Sequence, residues 1–191
     1  MRNYNLIEDG LYLGNFGSAT NKKIMKELNI QVVVTAMEIP LKDNEKLEGI
    51  EYHYFQIQDY PTEDILSYFP FAHDIMSKAQ QEGKNVYVHC QAGVSRSATI
   101  VISFLMKKYG INYDKALLMV KKSRRRVNPN CGFICQLELY ENWGYQIDGR
   151  NKDYRKHVIK NLIYKYLNSN GFSLRKRIIV NAFINYFSKI K

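Results

Sequence analysis

Asn85-Val-Tyr-Val-His89-Cys90-Gln-Ala-Gly93-Val-Ser-Arg96-Ser97 runs directly into Ala98-Thr-Ile-Val-Ile-Ser-Phe-Leu-Met106. The opening residues read as an apolar, β-branched strand and the closing run as an apolar helix, with a five-residue loop, Gln91 to Ser95, between Cys90 and Arg96. A short loop whose amides face inward, opening a helix at Ser97, makes a cup for an anion. The helix end supplies partial positive charge, and Arg96 supplies a planar guanidinium that grips two oxyanion atoms at once. The same field favours a thiolate. Free cysteine has a pKa of about 8.5, and a helix N-terminus beside a cation lowers it to ~3.5 to 7.5. Cys90 therefore reads as a nucleophile beneath the phosphorus of whatever the cup holds. A buried cysteine in an ordinary strand-to-helix turn is the plainer alternative, but it does not call for His89, Gly93, Arg96 and Ser97 at their fixed offsets.

Outward from this segment, strand and helix patterns alternate. Leu11-Tyr-Leu13 between Gly10 and Gly14 reads as a short strand, Ala19 to Asn29 as a helix, Gln31 to Ala36 as a buried strand, and Glu51 to Ile57 as an alternating one. A helix is expected from about Asp64 to Gln81 with Pro70 early in it, and another from Ser97 to Tyr109, stopped by Gly110. Asn112 to Arg126 and Gly132 to Tyr140 read as two more helices. The predicted fold class is α/β, a central, mostly parallel sheet flanked by helices, with the cup at a carboxyl strand end where such sheets bind ligands.

His89-Cys90-Gln-Ala-Gly93-Val-Ser-Arg96-Ser97 resembles the signature loop of the cysteine-dependent protein phosphatases, and of their dual-specificity branch in particular, where His-Cys-x-x-Gly-x-x-Arg precedes Ser or Thr. Carried over residue by residue, the resemblance implies that Cys90 forms a phosphocysteine. It further implies that Arg96 and the loop Gln91, Ala92, Gly93, Val94 and Ser95 bind the phosphate oxygens, that Ser97 stabilises the departing thiolate, and that His89 braces the loop. Pro129-Asn130-x-Gly132-Phe133 with Gln136-Leu137 also matches the dual-specificity pattern, which assigns Asn130 a supporting role in organising the active-site loops. Fixed amides and a guanidinium are what a phosphoryl group in flight requires, so no metal and no organic cofactor is expected.

A leaving alkoxide or phenoxide still needs a proton. Asp59 follows the strand at residues 51–57 and precedes Tyr60-Pro61, so it lies in a strand-end turn, where catalytic side chains are commonly presented. The family's general acid stands about thirty residues before its cysteine, which fits Asp59. Glu63 and Asp64 compete for the role, although Asp64, ahead of Ile-Leu-Ser-Tyr-Phe, reads as a helix cap.

The chain has 191 residues, 46% of them hydrophobic, enough for one core and a small appendage. Residues 1–149 carry 17 basic and 17 acidic residues, whereas residues 150–191 carry 11 basic residues and only Asp153, so the net charge of +10 belongs entirely to the second part. The expected organisation is a catalytic domain, residues 1–149, and a basic, helical extension, residues 150–191. Within it, Lys152 to Leu167 places Tyr154, Val158, Leu162 and Tyr166 on one stripe, and Ser173 to Ile190 forms a second amphipathic stretch opened by Arg175-Lys-Arg177. Packing on the catalytic domain accounts for the stripes; an anionic partner, such as RNA, an acidic protein or a membrane surface, accounts for the charge. The run Lys121-Lys-Ser-Arg-Arg-Arg126 reads first as solvated cations complementing a helix C-terminus and second as a rim for acidic substrates.

Cys90, Cys131 and Cys135 form neither a disulfide framework nor a zinc pair, and Cys131 and Cys135 read as packing residues. With no leader-like segment or long apolar run, an intracellular location, cytoplasmic or nuclear, is expected. Gly132 to Asp148 with Tyr154-Arg155 is similar to atypical dual-specificity phosphatases whose zinc-binding tail is associated with ribosome assembly, but this sequence has no cysteine after Cys135 to hold zinc. Nothing in the first fifty residues resembles the loop that deepens the pocket of strictly tyrosine-specific relatives. The resemblance thus implies a shallow cup open to phosphotyrosine, phosphoserine and phosphothreonine in phosphoprotein substrates. Three alternatives stand beside this reading: a non-protein phosphate (phosphoinositide, glucan or RNA 5′ phosphate), a phosphate-binding module without turnover, and a ribosome-assembly scaffold.

Overall fold

Val32, Val34 and Ala36 face one side of a strand and Val33 the other, and all four are buried. A strand sealed on both faces belongs at the centre of a parallel sheet. The computed structural model describes residues 3–147, 150 and 152–169. Its sheet comprises β1 (Tyr4–Glu8), β2 (Leu11–Asn15), β3 (Ile30–Met37), β4 (Glu51–Gln56) and β5 (Asn85–Cys90), in the order β1-β2-β5-β3-β4. All neighbours are parallel except β1 and β2, which pair antiparallel at the edge. Leu11, Leu13, Val32, Val34, Val86 and Val88 form one buried face beneath α3 (Phe69–Gln81), α4 (Arg96–Tyr109), α5 (Tyr113–Ser123) and α6 (Cys131–Asn142). Val33 and Tyr87 look to the opposite face, where Ala19 of α1 (Phe16–Ala19) and Met25 of α2 (Lys22–Glu27) cover them.

The helix after Cys90 is buried from Arg96 to Met106, as a helix apolar on every side must be. It stops at Gly110, whose left-handed φ of 60° lets its amide return to the Met106 carbonyl. Asn112 and Asn130 cap α5 and α6 through their side-chain oxygens, on the amides of Lys115 and Phe133. Register aligns Asn15 and Thr35 with Cys90 and His89, so three carboxyl strand ends meet at the cup.

The structure departs from the expected elements in four places. Tyr4–Glu8 is a strand that the sequence reading did not include; it lies at the sheet edge and is only half-buried, which weakens its pattern. The helix expected over residues 19–29 is two short ones, because the side chain of Asn21 starts a new helix by accepting from Lys23 and Ile24. The long helix expected from Asp64 begins only at Phe69, with Pro70 in its first turn, after a 3₁₀ turn at Leu66–Tyr68. Cys131 and Cys135 are exposed rather than packed: α6 turns Phe133, Gln136, Leu137 and Tyr140 inward, leaving both cysteines on the other side.

In the extension, α7 (Lys152–Ser169) packs back on the body: Tyr154 stands edge-on to Trp143 at 6.0 Å, and His157 faces Asp64 at 3.6 Å. The second amphipathic stretch, with Arg175 to Arg177, lies outside the described residues. Among the described residues no helix is long and apolar enough to cross a membrane.

Candidate active site

Each carbonyl of the loop after Cys90 is held from outside. The Phe16 amide takes Gln91 O at 3.3 Å, and the Asn128 amide takes Val94 O at 2.9 Å. Arg124 Nη2 and Arg126 Nη2 both reach Ala92 O at 3.1 Å, and Arg124 Nε reaches Gly93 O at 2.7 Å. The Ser95 carbonyl accepts from Thr99 Oγ1 at 2.9 Å. In a trans peptide plane the carbonyl and the following N–H point opposite ways, so the amides of residues 92–96 turn toward the cup.

Cys90 Sγ lies at the base of the cup, 1% exposed, accepting from the Gly93 amide and the Ser97 hydroxyl at 3.2 Å each. Gly93 has φ +67°, and a Cβ there would overlap the Gly14 carbonyl, so this position admits only glycine. Arg96, the first residue of α4, is 5% exposed. Its Nη1 is 2.7 Å from Glu38 Oε2 and 3.2 Å from Ile57 O, and its Nε is 3.7 Å from Asp59 Oδ2. Asp59 reaches the cup from the β4 side: Oδ1 accepts from Ser95 Oγ at 2.7 Å and from Asn130 Nδ2 at 2.9 Å. Every site residue expected from the sequence is thus in one place: Cys90 and the loop to Arg96, with Ser97 below, Asp59 and Asn130 beside them, and His89 behind.

Residues 11–143 match the model of the dual specificity phosphatase catalytic domain. The chain belongs to the dual specificity phosphatase family. It is 36% identical over 156 residues to dual specificity protein phosphatase MPK-4 of Drosophila melanogaster, covering 81% of this chain but 40% of that one. To dual specificity protein phosphatase 1B of Arabidopsis thaliana it is 37% identical over 138 residues, 71% of this chain and 80% of that one. Among solved structures, the human tyrosine phosphatase-like serine/threonine/tyrosine-interacting protein superposes with a TM-score of 0.70 at 30% identity, over 76% of this chain and 100% of the other.

In this phosphatase the basic run at the end of α5 is not simply solvated. Lys122 and Arg125 are exposed, but Arg124 is 2% exposed and holds three groups: two loop carbonyls and, through Nη1 at 2.8 Å, Asn5 Oδ1. Burial, with Arg126 adding to it, pushes its pKa down to about 10, which leaves it a cation at neutral pH. Nothing in a run of six polar residues marks one arginine for burial; the need shows only when the loop carbonyls are counted and found to require donors.

The acid loop is fastened by residues the sequence reading had placed in the family pattern without a physical role. A Cβ on Gly132 would overlap the Pro61 carbonyl, so α6 meets this loop backbone to backbone. Gln136, 3% exposed, accepts from the amides of Ile65 and Leu66 and donates to Glu63 O. Asp64 accepts from the Ser67 amide at 3.3 Å and faces His157, the arrangement of a turn-capping residue. Burial works to raise its pKa, but His157 and Ser67 hold it below the usual carboxylate range. Glu38, at the end of β3, was missed; an acidic residue just past a central strand's carboxyl end was the available signal.

His89 is fully buried with Nε2 2.9 Å from Thr35 Oγ1. Burial pushes its pKa down to about 4, against a small opposing effect of the Cys90 backbone, so it is a neutral brace at pH 7. His73, between Ser103 Oγ and Tyr140 OH, is pushed down to about 3 by burial and then Lys107. Both depressions have the same sign: the unfolded chain takes up these protons near pH 6.5, the native protein only near 4 or 3. Their stabilising effect is complete above pH 6.5 and is lost as the pH falls toward those values, at about 2 kcal/mol for each histidine by pH 5. Urea midpoints at pH 7 and pH 5 are expected to differ accordingly, and His73→Gln is expected to shrink that difference.

Proposed function

We propose that the protein is a phosphoprotein phosphatase that hydrolyses phosphotyrosine and phosphoserine or phosphothreonine through a phosphocysteine, with no metal taking part. The single observation carrying this reading is Cys90 Sγ at the base of the inward-facing amides, with the Ser97 hydroxyl 3.2 Å away and Arg96 at the rim. In the first step the Cys90 thiolate attacks phosphorus, the S–P bond forms, and the P–O bond breaks as Asp59 gives its proton to the leaving oxygen. In the second, water attacks phosphorus, the S–P bond breaks back to thiolate, and the proton from water returns to Asp59. Ser97 donates to sulfur as its negative charge reappears. Asp59 Oδ1 already accepts two hydrogen bonds, which leaves Oδ2, the oxygen facing Arg96, to carry the transferable proton.

Residues 1–149 form the catalytic part in this reading, and residues 150–191 are an extension whose α7 seats against it. A reducing compartment of the cell, cytoplasm or nucleus, suits a nucleophilic thiol. Binding of RNA, an acidic protein or an anionic membrane by the basic residues beyond α7, and kinship with the zinc-tailed members tied to ribosome assembly, belong to the same proposal. The loop's own side chains, Gln91, Ala92, Val94 and Ser95, include no lysine to grip a polyanionic ring, which favours phosphoproteins over phosphoinositides. The test is turnover of phosphotyrosyl and phosphothreonyl peptides beside a phosphoinositide and a glucan, with orthovanadate as inhibitor. Faster hydrolysis of the lipid or the glucan overturns the substrate class.

Asp59→Asn is expected to slow phosphothreonyl peptides by about 10²-fold or more, since an alkoxide leaves poorly without a proton. An aryl phosphate with an acidic leaving group should lose far less, and its rate should stop falling on the alkaline side. Equal losses on both substrates would assign the acid elsewhere.

A further inference from the structure

We propose that α7 of the extension positions the acid loop, with His157 as the positioning residue that acts through Asp64 on Asp59. The inference rests on the phosphatase reading above. Residues 58–62 are all exposed, so the stretch that carries Asp59 has few buried contacts of its own and depends on its neighbours to stay in place. At its start Asp59 Oδ1 accepts from Ser95 Oγ and Asn130 Nδ2, at 2.7 and 2.9 Å. Next, α6 supports it through Gly132 against Pro61 and through Gln136 on Glu63 O. At its end stands Asp64, whose Oδ1 accepts from the Ser67 amide at 3.3 Å and faces His157 Nε2 at 3.6 Å. The Asn161 side chain, one turn further along α7, meets that same ring nitrogen at 2.9 Å. Burial works to raise the Asp64 pKa, and His157 is the larger of the two influences that overcome it, ahead of Ser67.

The seat of α7 is a stripe along one side of the helix. Tyr154, His157, Val158 and Asn161 recur at helical spacing and are partly buried, whereas Arg155, Ile159 and Lys160 are exposed. Tyr154 stands edge-on to Trp143, the residue that ends α6, with ring centroids 6.0 Å apart. One helix thus rests both on the end of α6, whose cap Asn130 holds Asp59, and on the far end of the acid loop. A general acid acts from within hydrogen-bond reach of the leaving oxygen, and a misplacement of about 1 Å costs up to about 10²-fold. A contact that served stability alone would be felt equally by every substrate. One that positions the acid is felt in proportion to the leaving group's need for a proton.

The test measures kcat for a phosphothreonyl peptide and for an aryl phosphate with an acidic leaving group, in the full chain and its His157→Ala, His157→Gln and Tyr154→Ala variants. Hydrogen exchange of the Ser67 amide is followed by NMR in the same proteins. His157→Ala and Tyr154→Ala are each expected to lower kcat on the peptide by about 5-fold or more, against less than about 2-fold on the aryl phosphate. Exchange at Ser67 is expected to quicken by about 3-fold or more. His157→Gln keeps a nitrogen donor at the Nε2 position and is expected to restore the peptide rate to within about 2-fold of wild type. In an Asp64→Ala background, adding His157→Ala should lower that rate by less than about 2-fold further, since the carboxylate it faces is gone. Equal losses on the two substrates, an unchanged peptide rate in His157→Ala, or an undiminished effect in the Asp64→Ala background overturns the assignment. If the wild type turned over neither substrate, the phosphatase reading would fail, while exchange at Ser67 in His157→Ala, quickened or unchanged, would still decide whether α7 holds the acid loop.

Discussion

Cys90→Ser is expected to lower turnover of a phosphotyrosyl peptide by at least about 10³-fold, equivalent to about 4 kcal/mol of barrier, while substrate still binds. The two donors on Sγ, the Gly93 amide and the Ser97 hydroxyl, would remain to hydrogen-bond a serine oxygen, and the inward amides of the cup are untouched. What disappears is the nucleophile: a hydroxyl keeps its proton at neutral pH, and no general base stands beside position 90, since the adjacent imidazole of His89 is engaged with Thr35 and held neutral by burial. Rapid quench of the wild type with a labelled substrate should yield label on Cys90, and the serine variant should yield none. Wild-type rates in the serine variant would mean that another group attacks phosphorus.

Arg96→Lys is expected to lower kcat by about 10² to 10³-fold, the loss usual for one donor to a developing oxyanion, and to weaken phosphate binding as well. The charge is kept, so a purely Coulombic role would leave the variant nearly active. The guanidinium, however, spans Glu38, Ile57 O and the Asp59 carboxylate at once, and a lysine ammonium on its flexible stem offers neither the paired N–H groups nor the reach to all three. Steady-state kinetics with an orthovanadate inhibition series separates the two effects. A variant within about 3-fold of wild type in both would reduce Arg96 to a structural cation.

The strand, the cup and the helix after it were legible because local signals agree there: a β-branched run, a glycine that must take positive φ, and an apolar helix with a glycine stop. Asp59 was legible from its strand-end position, and Asn130 from the family pattern. Arg124, Glu38 and the strand Tyr4–Glu8 were not, and the reason is common to them. Each is defined by partners far along the chain: Arg124 by Gly93 and Asn5, Glu38 by Arg96, and β1 by an edge position with half-wet faces. A lone arginine in a basic run and a lone glutamate after a strand look the same in sequence whether they are solvated or locked. The exposed cysteines of α6 show the converse, because helical spacing alone could not say which of two stripes would meet the core.

The carbonyl supports of the cup come from Phe16, Thr99, Arg124, Arg126 and Asn128, and Arg124 is itself anchored on Asn5. On the ribosome, therefore, Cys90 emerges well before its surroundings exist, and the cup around it is complete only when residue 128 has followed it out. A half-made copy therefore carries the signature residues without the supported cup.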